Sequence, residues 1–265
     1  MTLGRKFSAS EIGVAAGVAL FIGSTLGWFV LGTANETWEE ISGGPAYIYL
    51  DEIQHRVRAS LTNYAENIVD AAQRVETRRI AAEQDEIRSA IAEQEAELLH
   101  DLSSPAGGNP KGDVALVEFS DYNCPYCRRL APQLAKAETS DPMLRIVYKE
   151  VPILGPDSLY AAKAALAAHR QGKYVAFRRA LMDAKGVASE GLVLAIATRV
   201  GLDVVQLKGD IEDPSIRAAI DRNLVLARTL GITGTPSFVI GDKIVRGAVD
   251  LKTMQTLARQ ARTAR

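Results

Sequence analysis

Val114-Ala-Leu-Val-Glu-Phe-Ser-Asp-Tyr-Asn-Cys124-Pro-Tyr-Cys127-Arg-Arg129 decides how the rest of the chain is read. Val114 to Phe119 is a short apolar run of the kind that forms a buried strand, and an amphipathic helix begins around the two cysteines. Cys124 and Cys127 are the only cysteines in the chain. A C-x-x-C at a strand-to-helix turn has a redox mechanism. The first sulfur faces the unpaired N–H groups and positive end of the helix, which favour thiolate over thiol. Cys127 lies one turn in, close enough to close a disulfide and less exposed. Pro125 suits the first helical position, and Pro125 and Tyr126 together tune the reduction potential. Half of a metal site and a purely structural bridge are the competing readings. The first lacks partners, because His55, His100 and His169 lie at no recognised ligand spacing. The second would close too short a loop to add much stability.

Downstream, Leu144 to Val151 reads as a second strand, and the pattern from about 157 to 231 is helical. Ser189 opens one helical segment that stops at Gly201, and Asp213-Pro214 opens another that stops at Gly231. Ser237-Phe-Val-Ile240, the turn Gly241-Asp242 and Lys243-Ile-Val-Arg246 predict a hairpin, followed by a last helix capped by Asp250. This order is that of a small α/β domain with a helical insertion, over residues 113–265. Ser103 to Gly112 is rich in Ser, Pro and Gly and reads as the linker preceding it.

The loop Gly231-Ile-Thr-Gly-Thr235-Pro236-Ser-Phe-Val-Ile240, taken with the C-x-x-C, resembles the thioredoxin-fold family, and within it the DsbA-like thiol:disulfide oxidoreductases. The resemblance covers residues 109–265. It implies that Pro236 is a cis-proline facing the dithiol and that Thr235 borders the Cys124 sulfur, where its backbone pairs with a substrate polypeptide. It also implies that Glu118, on the first strand, lies beneath the dithiol and relays the proton of Cys127. On the residues alone, Glu118 reads as a strand glutamate paired with a lysine such as Lys149, and the two readings are compatible. Cys124, Cys127, Pro236, Thr235 and Glu118 are therefore the candidate catalytic residues.

The resemblance leaves the direction of electron flow open. Pro125-Tyr126 stands where the most strongly oxidising relatives carry Pro-His, and Thr235 resembles the isomerase and reductase relatives, which favours isomerase or reductase activity. The alternative is an oxidase that introduces disulfides and is recharged by a quinone-linked membrane protein. A stalked scaffold or adhesive protein with a vestigial C-x-x-C is a reading of another class.

From Ile12 to Ala34 no residue is charged, a length sufficient to cross a bilayer. Arg5 and Lys6 precede this run and Glu36, Glu39 and Glu40 follow it, so residues 1–11 are placed in the cytoplasm and everything after Asn35 outside it. In a two-membrane cell this is a single-pass inner-membrane protein with a periplasmic catalytic domain. A cleaved signal peptide ending at Gly32 and Ala34 competes, although its apolar stretch would be unusually long. Gly13/Gly17 and Gly23/Gly27 are spaced to pair two such helices.

After Pro45 there is neither Gly nor Pro until Pro105, and Leu50, Ile53, Val57, Leu61, Tyr64, Ile68, Ala72 and Val75 recur every three or four positions. Residues 36–102 thus predict a helical stalk, either self-associating into a homo-oligomer or folding back on itself or on the head. Several dithiols joined in this way would suit isomerisation.

Composition narrows the rest. With 31 Lys+Arg against 32 Asp+Glu, a net charge of −1 and 47% apolar residues, the chain lacks the cationic excess of a nucleic-acid binder. No P-loop, dinucleotide fingerprint or haem-attachment motif is present, since Arg128 follows Cys127, so no cofactor or metal is expected. The expected partners are cysteine-containing exported proteins and a membrane protein that reduces or reoxidises the dithiol.

Overall fold

The computed structural model describes residues 45–263. The tail 1–11 and the apolar run 12–34 lie outside them, and among the described residues no helix is long and apolar enough to cross a membrane. The chain divides into two units, residues 1–75 and 76–265.

Helix α1 covers Pro45–Glu93. In the first unit its apolar residues Ile53, Val57, Leu61, Tyr64, Ile68 and Val75 are all more than half exposed. In the second unit its last turns pack down, with Ile91 buried and Ile87 and Ala90 against the same cluster. A turn at Gln94 leads into α2 (Glu95–Leu99), whose Leu98 is buried.

The sheet follows, with β1 (Ala106–Gly108), β2 (Val114–Ser120), β3 (Leu144–Glu150), β4 (Ser237–Ile240) and β5 (Lys243–Arg246) in the order β1-β3-β2-β4-β5. Only β2 and β3 are parallel; their crossover is α3 (Pro125–Ser140), and the other pairings are antiparallel. Strand β1 corrects the reading of 103–112 as a linker. Its Ser-Pro-Gly composition conceals an edge strand whose glycines are required by close packing. A Cβ on Gly107 would stand 3.0 Å from the Tyr148 hydroxyl, and one on Gly108, at φ 68°, only 2.3 Å from the Leu144 carbonyl oxygen. Asp101 fixes the preceding residues by accepting from Ser103 N–H and from the hydroxyls of Ser103 and Ser104.

Side chains alternate along β2, so Leu116 and Glu118 face one layer while Val117 and Phe119 face the other. The Val117 side is covered by Ile91, Leu98, Leu226, Leu230 and Ile232. The Leu116 side is covered by α3, the helical block and α9 (Leu251–Thr263). The block runs from 156 to 229 as α4 (Pro156–Arg170), α5 (Tyr174–Asp183), α6 (Glu190–Arg199), α7 (Val204–Ile211) and α8 (Pro214–Thr229). Helix α4 touches the other four. It can do so because Ala161, Ala162, Ala164, Ala165, Ala167 and Ala168 are buried along it, and small side chains let helices approach from several sides. This architecture puts the C-terminal ends of β2 and β3, the start of α3 and the loop before β4 at one end of the sheet, where the candidate residues converge.

Candidate functional site

Cys124 is the residue immediately before α3, with extended φ and ψ, and Pro125 occupies the first helical position. The Cys124 thiol is 4% exposed and donates to the Thr235 carbonyl oxygen at 3.2 Å. The Thr235–Pro236 peptide bond is cis. Both sulfurs are unbonded, and Cys127 is fully buried. Burial pushes the Cys127 thiol up. Backbone contact from Asp121 opposes this, and the Glu118 carboxylate and Cys124 add to it. These surroundings favour the protonated form of the Cys127 thiol.

Glu118 is fully buried and receives a hydrogen bond from Arg178 Nη2 at 2.5 Å. Desolvation raises its carboxyl, outweighing the pull of Arg178. The lysine partner expected for Glu118 is corrected here. In the parallel register Glu118 stands opposite Tyr148 and Phe119 opposite Lys149, so Lys149 points to the other side of the sheet. There its ammonium group, also buried, donates to the Glu97 carbonyl at 2.5 Å and the Ser104 hydroxyl at 2.7 Å, and pairs with Asp101 at 3.4 Å.

Several residues of the site escaped the sequence reading. The Arg178 guanidinium lies 4.5 Å from the centre of the Tyr148 ring. Beside it, Glu150 at the end of β3 accepts from the hydroxyls of Tyr174 at 2.6 Å and Tyr122 at 2.9 Å. Burial pushes the Glu150 carboxyl up to about 7, against those hydrogen bonds and Arg178. Glu118, Glu150, Arg178, Tyr122, Tyr148 and Tyr174 thus form an interior cluster of two carboxyls, one guanidinium and three tyrosines, of which the Glu118 carboxylate acts on the Cys127 thiol. A signal was present in α5, where Tyr174, Phe177, Arg178, Leu181 and Met182 share one buried face. An arginine on an apolar stripe marks an interior ion pair.

The loop before Cys124 is fixed by two more missed residues. Asp121 accepts from the backbone N–H groups of Asn123, Ile153 and Leu154 and from the Ser158 hydroxyl. Asn123 donates to Ser158 and accepts from Ala188 N–H. Arg128 holds the loop from the helix side, donating to the carbonyls of Tyr122 and Ala184. These bonds tie the dithiol turn to the helical block, so Cys124 does not depend on packing alone for its position.

On the surface beside Cys124, Tyr126 is 54% exposed, and the Arg129 guanidinium lies 4.6 Å from the centre of its ring. Tyr126, Arg129, Thr233, Thr235, Pro236, Arg246 and Gly247 are among the residues that line an open groove of ≈ 550 Å³. Among the described residues no group of histidine, cysteine and carboxylate side chains could hold a metal ion.

A buried second cysteine, a first cysteine at a helix start and, on its sulfur, the carbonyl of the residue before a cis-proline form an arrangement suited to thiol–disulfide exchange. The DSBA-like thioredoxin domain family matches residues 115–258. The chain belongs to this family. Among solved structures, a thioredoxin-like oxidoreductase from Silicibacter pomeroyi DSS-3 is 49% identical, with a TM-score of 0.63 over 64% of this chain and 98% of that one. The thiol-disulfide exchange protein alpha-DsbA2 from Wolbachia pipientis is 31% identical, with a TM-score of 0.64 over 68% of this chain and 97% of that one. The chain is also 25% identical over 156 residues to the Na(+)/H(+) antiporter NhaA 1 of Salinispora arenicola, covering 58% of this chain and 24% of that protein. It thus spans about a quarter of the length of the curated relatives it matches first. The DsbA-like domain has a thioredoxin-like α/β fold, and membership supports oxidoreductase activity of the thiol–disulfide kind.

Proposed function

We propose that the chain reduces or isomerises disulfides of exported proteins, outside the cytoplasm, through Cys124 and Cys127. One observation carries this reading: the Cys124 sulfur sits at the start of α3 against the Thr235 carbonyl, with Cys127 buried one turn behind it. In the reaction, the Cys124 thiolate attacks one sulfur of a client disulfide. A Cys124–client bond forms and the other client sulfur leaves as thiolate. The Cys127 thiolate then attacks Cys124, the client departs reduced, and two electrons have passed from the dithiol, which is now a disulfide. Cys127 must give up its proton for that second step. Glu118 is the acceptor: its Oε1 has no hydrogen-bond partner among the described residues, and burial raises its carboxyl above the ordinary value. Thr235 and Pro236 align the client backbone.

Direction is inferred from Tyr126 and Thr235, neither of which supplies the imidazole that would hold the reduced form of a strong oxidant. The oxidase reading uses the same atoms in reverse. Acid quench of growing cells followed by alkylation with a reagent that shifts gel mobility distinguishes the two. The pair is expected to be mostly reduced, which requires a membrane partner supplying electrons; a mostly oxidised pair would overturn the direction. Anchoring through 12–34 follows from the apolar composition of that run.

We also infer that α1 pairs with α1 of further copies. Val57, Leu61, Tyr64 and Ile68 are exposed on one stripe of the helix and lack the packing of an apolar face that supplies most helical stability in proteins, and a second copy would cover that stripe. Sedimentation of the full chain in detergent is expected to give an oligomer that Leu61→Glu with Ile68→Glu dissociates. A monomeric wild type, or an oligomer unaffected by the substitutions, would refute this.

A further inference from the structure

The groove beside Cys124 has a charge character that exchange chemistry alone does not require. Its walls are mostly apolar, from the half-exposed Tyr126 ring, Pro236, Gly247 and Ala248, and two guanidinium groups stand on its rim, Arg129 and Arg246. No carboxylate lines it. Arg129 rests on Tyr126, and Arg246 Nη2 donates only to the Gly231 carbonyl, at 3.2 Å. Among the described residues neither arginine takes part in an ion pair, whereas Arg170, Arg178, Arg179 and Arg262 each hold a carboxylate. Both are exposed and shared with Thr235, whose carbonyl contacts the Cys124 sulfur.

We propose that this groove selects client segments carrying carboxylate side chains beside the reactive cysteine. The proposal rests on the redox reading above and specifies its substrate class. A client strand laid along Thr235 brings its sulfur to Cys124, and its neighbouring residues then lie between Arg129 and Arg246. A glutamate or aspartate there gains one or two exposed ion pairs, while a lysine or arginine meets like charge. Apolar client residues gain the Tyr126 and Pro236 surfaces, so an acidic residue next to an aromatic or aliphatic one fits best.

The test uses the reduced full-length protein and three peptides that differ only in the residues flanking one cysteine: Glu, Gln or Lys. Each cysteine is capped as a 2-pyridyl mixed disulfide. The Cys124 thiolate attacks the peptide sulfur, the Cys124–peptide disulfide forms, and thiopyridone leaves and is read by its absorbance. At low salt the Glu peptide is expected to react about fivefold faster than the Gln peptide and the Lys peptide more slowly by a similar factor, with both ratios shrinking at high salt. Arg129→Gln with Arg246→Gln is expected to bring the ratios close to one, and Arg129→Lys with Arg246→Lys to keep them. The ratio is taken within one protein, so a general loss of activity cancels. Equal rates for all three peptides, or a preference that survives the glutamine variant, would overturn the proposal alone. Release from none of them would overturn the redox reading and this proposal with it.

Discussion

Arg178→Met is expected to destabilise the domain by about 3–5 kcal/mol at pH 8, the range found when one partner of a buried ion pair is removed. Arg178 and Glu118 are both sealed from solvent and joined by a 2.5 Å contact, and among the described residues Glu118 has no other ion-pair partner. Without the guanidinium, the carboxylate must stay charged in an apolar interior or take a proton. At pH 5 the proton is readily available, so the loss is expected to be smaller there. Native stability has the same dependence on pH from Glu150. Its folded carboxyl is raised from 4.5 to about 7, so the folded state binds the extra proton between those values. That contribution is complete below pH 4.5 and is lost as the pH rises through about 7. Urea unfolding of both proteins at pH 5 and pH 8 reads these effects, and adding Glu118→Gln should recover part of the loss. A cost below about 1 kcal/mol, or the same cost at both pH values, would show that the pair is not held as described.

Much of this was legible in the sequence because the signals were local. The strand at 114–119, the hairpin at 237–246 and the cysteines at a helix start each declare themselves within a few residues, through apolar runs, a Gly-Asp turn and a proline at the first helical position. The position of Glu118 under the dithiol followed from resemblance. Its partner did not, because pairing with Arg178 spans 60 residues and depends on how the helical block is laid over the sheet. Lys149 was misassigned for a related reason. Only the parallel register of β2 and β3 reveals that Glu118 and Lys149 point to opposite faces, and register is not written in either strand. Strand β1 was hidden because Gly107 and Gly108 lack strand propensity and are tolerated only for the close approach of Tyr148 and Leu144.

The second large effect concerns the chemistry itself. Both cysteines are buried, but Cys124 donates to Thr235, which lines the groove, whereas the surroundings of Cys127 favour its protonated thiol. The two sulfurs are therefore not equivalent. Cys124→Ala removes the nucleophile and is expected to reduce exchange with any client by at least about a thousandfold. Cys127→Ser leaves the first attack intact but removes release, so clients should accumulate as mixed disulfides on Cys124. The variant at Cys127 is thus expected to be inactive in net disulfide reduction yet covalently loaded, a combination that a structural cysteine pair would not produce.

The most direct measurement is the equilibrium of full-length protein with mixtures of reduced and oxidised glutathione, quenched in acid and mapped by mass. A single two-electron transition is predicted, ending in one Cys124–Cys127 disulfide, with glutathione captured only on Cys124 in the Cys127→Ser variant. Absence of that internal disulfide at every ratio, or capture of glutathione on Cys127 in Cys124→Ala as readily as on Cys124, would contradict the account.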